Sequence, residues 1–366
     1  MVVATAEPTP KHRLRPATQD EVAEVLHEAA AQGEAVIPVG GGRLLGMGDP
    51  PERWDLALEL GGLDRVIEAT PADLTLTVEA GATVEQIDEI LRPVGQQLPI
   101  DPPGGPGQTI GGVLASGVTG PLRQRFGAPR EWVIGLRTAL PDGRLAASGG
   151  RVVKNVSGYD MAKLHLGALG SLGVIVTASF KVFPRPAEDV TVVNEAGDVW
   201  ADAERALALP QPPVALEVEG NQVRARFWGQ GRGLRRMLDE LGWSPAPVEV
   251  WRREPLPEGT AWLRVSVPPR HLREVLAVAP AEIGSWAWPG VGIAHLTGPL
   301  TVEDVRHVRA AAERAQGSAV LLGGSTALKR EVGAWGAAPS TLLWMQRLRA
   351  SFDPTHCLAP GRYVTG

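Results

Sequence analysis

The 366-residue chain is short of several features that mark a class of protein. It has one cysteine, Cys357, which excludes an internal disulfide, and no Cys/His spacing suits zinc, so no metal site is expected. Lysine is scarce. None of the lysines is followed by Ser or Thr, and the pattern GxGxxG occurs nowhere, so neither a P-loop nor a Rossmann fingerprint is present. No segment reaches about 18 consecutive apolar residues, and the opening MVVATAEPTPKHRLRPAT lacks the apolar run of a secretory signal. These absences predict a cytoplasmic protein with no membrane span. The net charge is −5, from 36 Lys+Arg against 41 Asp+Glu, and no basic tail gathers the positive charge. Nucleic acid is therefore not an expected partner.

What the chain does have is 44 Gly and 32 Pro, and their placement divides it. The length allows two domains, each with its own core. Thr18 to Glu21 reads as a capping box that opens an amphipathic helix through Val22, Val25, Leu26, Ala29 and Ala30, closed by Gly33. Buried or alternating strands are predicted at Ala35 to Val39, at Leu56 to Leu60 and along Leu74, Leu76 and Val78. A second capping box, Thr83 to Gln86, starts a helix that stops before Pro93. After a glycine-rich stretch from Pro99 to Pro129, strands resume at Trp132 to Leu140 and Val174 to Val182, with a short helix around Asp160 to Leu169 between them. Pro184-Arg185-Pro186 looks like a boundary.

Beyond it the texture changes to strand and helix signals without glycine clusters, with seven tryptophans between Trp200 and Trp288. This predicts an α+β domain with an antiparallel sheet and helices on one face, among them Val199 to Leu209, Leu234 to Leu241 and Val302 to Ala315. The tail from Ser340 to Pro354 reads as one more helix, returning to the first domain. The expected organisation is thus 1–186, then 187–335, then 336–366.

Three glycine clusters, at 40–48, 104–120 and 167–173, follow or join predicted elements, where backbone N–H groups can be gathered around an anion such as a dinucleotide pyrophosphate. In Val39-Gly-Gly-Gly-Arg43 the bare backbone leaves a strand, so its N–H groups can turn toward one phosphate at little steric cost, and Arg43 is either an added charge or a surface arginine. The stretch from Thr109 to Gly117 is too small-sided for a good core helix and suits a ligand lying flat on it.

The motifs PVGGGRLLG, DPPGGPGQTIGGVLASGVTGPLRQRFG, KNVSGYDMAKLHLGALGSLGVIVTASFKVFPRP and FDPTHCLAPGR together resemble the PCMH-type FAD-binding domain of the vanillyl-alcohol oxidase superfamily. Within it they are most similar to the FAD-binding subunits of bacterial glycolate oxidases. The resemblance is dense over about residues 15–186 and returns in the C-terminal motif, while the middle domain matches by position and length alone.

It implies an α+β fold made of a two-part FAD-binding domain and a cap domain, and a non-covalent FAD. It also implies the residues that hold the cofactor. Val39, Gly40, Gly41, Gly42, Arg43 and Leu44 would cradle the pyrophosphate; Thr109, Ile110, Gly111, Gly112, Ala115, Ser116 and Gly120 would line the flavin and ribityl chain; Gly170, Gly173, Val174 and Ile175 would flank it from the other side. The Lys154 to Asp160 signature would shape the adjoining turn, with Tyr159 either a half-buried tyrosine or a flavin contact.

Two departures from the family pattern stand out. The C-terminal motif reads Ala359-Pro360-Gly361 where relatives carry Asn-Pro-Gly, and the relatives' HxGDGNxH motif is reduced to a lone His295, read here as structural. No catalytic residue can be named. The favoured function is therefore an accessory or electron-transferring subunit of a glycolate oxidase-like complex. Its implied partners are a catalytic flavoprotein subunit and an iron–sulfur subunit, and its substrate class is small 2-hydroxy acids. Two other readings stay open: a free-standing dehydrogenase that grips a carboxylate with Arg123, Arg125 or Arg362, and a cofactor-free assembly module.

Overall fold

The computed structural model describes residues 9–150, 160–251, 253, 256, 257 and 259–365; Lys154, Asn155, Gly158 and Tyr159 of the 154–160 signature lie outside them. The chain divides into two compact units. The first comprises residues 1–119, 128–184 and 337–366, the second residues 120–127 and 185–336.

In the first unit, ten strands run in chain order: β1 (His12–Leu14), β2 (Val36–Val39), β3 (Leu56–Glu59), β4 (Val66–Thr70), β5 (Thr75–Glu79), β6 (Gln96–Gln97), β7 (Val133–Ala139), β8 (Leu145–Gly149), β9 (Val174–Lys181) and β10 (Phe183–Pro184). They build a small parallel sheet in the order β1-β3-β2, a five-stranded antiparallel sheet in the order β4-β5-β9-β7-β8, and the β10-β6 ribbon.

Helix Gln19–Gln32 buries Val22, Ala23, Leu26 and Ala29 and ends at Gly33, whose φ of 69° only glycine adopts cheaply. Its cap differs from the predicted box. Thr18 accepts the Glu21 N–H at 3.2 Å, but the Glu21 carboxylate reaches one residue further back and accepts from the Ala17 N–H at 2.7 Å. At helix Val84–Leu91 both halves of the box form: the Gln86 side chain accepts the Thr83 N–H at 2.7 Å, and Thr83 Oγ1 accepts the Gln86 N–H at 3.2 Å.

The stretch from Thr109, expected to be too small-sided for a core helix, is one. Residues Ile110–Ser116 form a helix with Ile110, Val113 and Leu114 fully buried. The small residues are the reason it fits, because a Cβ on Gly111 would stand 2.9 Å from Ala80 Cβ, and the bare Cα lets the helix approach that closely. The C-terminal helix Leu342–Phe352 leads into a segment that docks on β2, with the Val36 N–H donating to the Cys357 carbonyl at 2.7 Å and the Ala359 N–H to the Val36 carbonyl at 2.8 Å.

The second unit carries β11 (Glu188–Asn194), β12 (Ala215–Glu219), β13 (Gln222–Gly229), β14 (Ser244–Ala246), β15 (Ala261–Ser266), β16 (Gly284–Trp288), β17 (Ile293–Gly298) and β18 (Ser318–Gly323). All pair antiparallel in one sheet of order β14-β11-β13-β12-β16-β17-β15-β18. Alternation sorts its faces. One face presents residues such as Leu216, Val218, Leu263, Val265 and Leu296 to helices Val199–Leu207, Gly231–Leu241, Leu272–Leu276 and Val302–Arg314. The residues between them, including Glu217, Glu219, Arg264, Trp286, Trp288 and His295, belong to the opposite face.

Candidate functional site

A cleft of about 730 Å³, counting its open mouth, lies within the first unit where β2 ends and the Ile110–Ser116 helix begins. Its lining brings together Val39, Gly40, Gly41, Gly42, Arg43, Leu44, Thr109, Gly111, Gly112, Ala115, Ser116, Gly170, Val174 and Ile175, residues drawn from all three glycine clusters and the start of β9. Three of the expected residues are not in that lining. Ile110 is fully buried and belongs to the hydrophobic core. Gly173, at φ 151°, lies where a Cβ would meet Leu140 at 3.0 Å and His165 at 3.2 Å. Gly120 opens the 120–127 segment, which clusters with the second unit.

Thr109 organises the cleft. Its Oγ1 accepts the Gly41 N–H at 3.3 Å and the Gly112 N–H at 3.4 Å, so one hydroxyl ties the glycine loop to the first turn of the helix. The N–H groups of Gly42, Arg43 and Leu44 have no partner among the described residues, and Gly42 turns the chain at φ 73°. Arg43, expected either to add charge to a phosphate or to be a surface arginine, is exposed, lines the cleft and donates to the Gly104 carbonyl at 3.2 Å, which ties the first glycine cluster to the second. Ser116 lines the cleft, but its hydroxyl donates to the Val113 carbonyl at 3.0 Å within its own helix.

Pro38, Leu45, Leu60, Gln108, Leu169 and Arg362 also line the cleft, and sequence reasoning did not place them at a cofactor cleft. Arg362, considered only as a carboxylate grip, is a buried clamp: its guanidinium donates to the Leu45 carbonyl and, at 2.7 Å, to the Met47 carbonyl. Burial pushes its pKa down to about 10, which leaves it charged at neutral pH. Ala359, in place of the family's Asn, is fully buried at φ 43°, a left-handed conformation that costs an L-residue without a polar side chain about 1 kcal/mol.

The lining fits an FAD. Bare backbone at Gly40 to Gly42, free N–H groups and two arginines line the cleft, and no aspartate or glutamate lines it among the described residues, so there a pyrophosphate meets donors and positive charge without repulsion. A strand leading into a glycine turn and a capped helix, walled by small side chains, suits a dinucleotide cofactor.

Comparison with known proteins places it more closely. Residues 10–149 match the family described as FAD binding domain. The chain is 29% identical over 311 residues to glycolate oxidase subunit GlcE of Escherichia coli, a match covering 81% of this chain and 84% of that protein. It is 34% identical over 187 residues to a D-2-hydroxyglutarate dehydrogenase of Xanthomonas citri, covering 51% and 40% of the two chains. It is 29% identical over 180 residues to glycolate oxidase subunit GlcD of Bacillus subtilis, covering 49% and 38%. Among solved structures, an alkyldihydroxyacetonephosphate synthase shares the fold, with a TM-score of 0.70 at 16% identity over 97% of this chain and 77% of that one. Residues 10–149 thus resemble an FAD-binding domain of the PCMH type, and the chain is similar along most of its length to a glycolate oxidase subunit.

Proposed function

We propose that the chain is a non-covalent FAD-binding subunit of a complex that oxidises a small 2-hydroxy acid, glycolate to glyoxylate in the reference case. In that complex it has an accessory or electron-transferring part beside a catalytic flavoprotein subunit and an iron–sulfur subunit. The observation that carries this reading is the chemistry of the cleft. Among its described lining residues the side chains with polar atoms are Arg43, Gln108, Thr109, Ser116 and Arg362, and none of these can accept a proton at neutral pH. The similarity to GlcE along most of both chains supports the same reading. The described lining residues include no cysteine or histidine, the side chains that commonly bond to a flavin, which supports the non-covalent reading.

In this reading residues 1–186 and 336–366 form the FAD-binding part and 187–335 the cap. The Gly40 to Leu44 loop holds the pyrophosphate through main-chain N–H groups. The Ile110–Ser116 helix, with Gly170, Val174 and Ile175, flanks the flavin and ribityl chain. Arg362 keeps the 45–47 carbonyls turned away from the phosphates by holding them itself. The bound flavin supplies the electron chemistry, and the chain supplies position and charge.

The test is the visible absorbance of the purified protein before and after addition of FAD, followed by glycolate. The expected result is stoichiometric flavin uptake with no bleaching by glycolate until the catalytic subunit is added. Bleaching of the isolated chain would make it a dehydrogenase in its own right, and failure to take up FAD would leave an assembly role.

A further inference from the structure

Two helices of opposite charge flank a second hollow of the first unit. It has a volume of about 950 Å³, counting its open mouth, and its apolar walls are Ala30, Ala31, Leu140, Pro141, Phe352 and Pro354. On one side runs helix Gln19–Gln32, with the acids Asp20, Glu21, Glu24 and Glu28 and no lysine or arginine. Glu24 stands one turn before His27, which lines the groove, and Glu28 one turn before Ala31, so both carboxylates lie along its rim. Both are exposed, and neither is in an ion pair among the described residues.

On the other side helix Leu342–Phe352 has two arginines and no acid. Arg349 is buried and donates to the Leu358 carbonyl at 3.0 Å, which leaves Arg347 as the exposed cation of that helix. Its guanidinium lies 5.0 Å from the centre of the Trp344 ring and is in no ion pair among the described residues. Trp344 is 63% exposed and Leu348 38%. At four-residue spacing the two continue Phe352 out of the groove along one helix face, as an apolar strip about 12 Å long. Large apolar side chains left in water in such a row mark a contact surface.

The same surface thus carries an apolar strip and an apolar groove, an exposed cation and carboxylates to meet it. It is complementary to itself, which is the condition for an interface with two-fold symmetry. We infer that the chain forms a homodimer in which Trp344 and Leu348 of each copy enter the groove of the other, and Arg347 meets Glu24 and Glu28 across the interface. Tryptophan and arginine are also the residue types that carry most of the energy of protein contacts. This goes beyond the FAD cleft and does not rest on it.

The experiment is sedimentation velocity of the full-length chain over about 1 to 100 μM, the range in which a modest interface shows its equilibrium. The expected result is a dimer whose share rises with concentration. Trp344→Ala should weaken association at least tenfold, as the loss of an aromatic anchor does. Arg347→Glu should weaken it by a similar factor, and so should the double variant Glu24→Lys with Glu28→Lys, because each sets like charges against one another. An equimolar mixture of these two charge variants should dimerise about as well as the wild type, since every contact across the interface again joins opposite charges. A wild type that stays monomeric throughout, a dimer that Trp344→Ala leaves unchanged, or a mixture no better than its components would overturn the proposal. Trp344→Ala decides the matter if either charge variant fails to fold by circular dichroism. Dimer formation requires no flavin, so this outcome is read apart from FAD uptake.

Discussion

Gly40 and Thr109 are packed so closely that a Cβ on Gly40 would stand 2.2 Å from Thr109 Oγ1, the oxygen that also accepts the N–H groups of Gly41 and Gly112. The contact makes the first glycine of the triplet a structural requirement, while its neighbour is constrained differently. A Cβ on Gly41 would find its nearest atom, the Gly107 carbonyl oxygen, at an ordinary 3.6 Å.

Two substitutions therefore separate folding from cofactor binding. Gly40→Ala should lower thermal stability by about 2 kcal/mol through overpacking and lose flavin with it, because the displaced Thr109 releases both the loop and the helix cap. Gly41→Leu should leave the unfolding transition nearly unchanged yet abolish FAD uptake, since its side chain would fill space that the proposed pyrophosphate needs. Thermal unfolding and flavin absorbance of the two variants check this. Full stability in Gly40→Ala would show that the contact relaxes at no cost.

Arg362 offers a second test. It reaches the Leu45 carbonyl across 317 residues of chain and holds the loop that follows the glycine triplet. Arg362→Met would leave two carbonyls without their charged donor, at a cost of about 3 kcal/mol. Its FAD affinity should fall further than the stability loss alone explains, because the loop N–H groups lose their fixed direction. Arg362→Lys should recover part of both. Parallel urea unfolding and FAD titration measure the two effects, and equal FAD affinity in all three proteins would remove Arg362 from the cofactor site.

That reach also shows where legibility in the sequence ends. The Thr83 to Gln86 cap, the strand entering the glycine triplet and the alternating faces of the second sheet are written in residues a few positions apart, and local chemistry suffices to read them. Arg362 at the cleft is not of this kind, since nothing in APGR announces which carbonyls its guanidinium will meet. The 120–127 segment is similar. It continues the glycine-rich stretch in sequence, yet Leu122 packs with Val214 and Ala215, and Gln124 donates to the Pro213 carbonyl at 2.7 Å, partners some ninety residues away. The Ile110–Ser116 helix misleads for another reason. Its glycines lower helix propensity, but the close approach to Ala80 that they permit outweighs propensity once the core forms.

His165 provides a pH signature of this packing. It is buried, its ring meets Phe352 edge-on at 5.7 Å, and burial lowers its pKa from 6.5 to about 4. The unfolded chain takes up a proton at His165 near pH 6.5, while the folded protein resists until about pH 4, so folding loses stability as pH falls through that window and gains nothing further from this group above it. The shift corresponds to about 3 kcal/mol at the acid end. Replacing His165 by Leu removes this contribution and leaves the carboxylates and His295 to titrate as before. The stability difference between wild type and variant should therefore be constant above pH 7 and move in favour of the variant by about 3 kcal/mol on reaching pH 4. Urea unfolding of both proteins across that range measures it, and a difference that does not change with pH would show that His165 becomes protonated inside the folded chain as readily as in water.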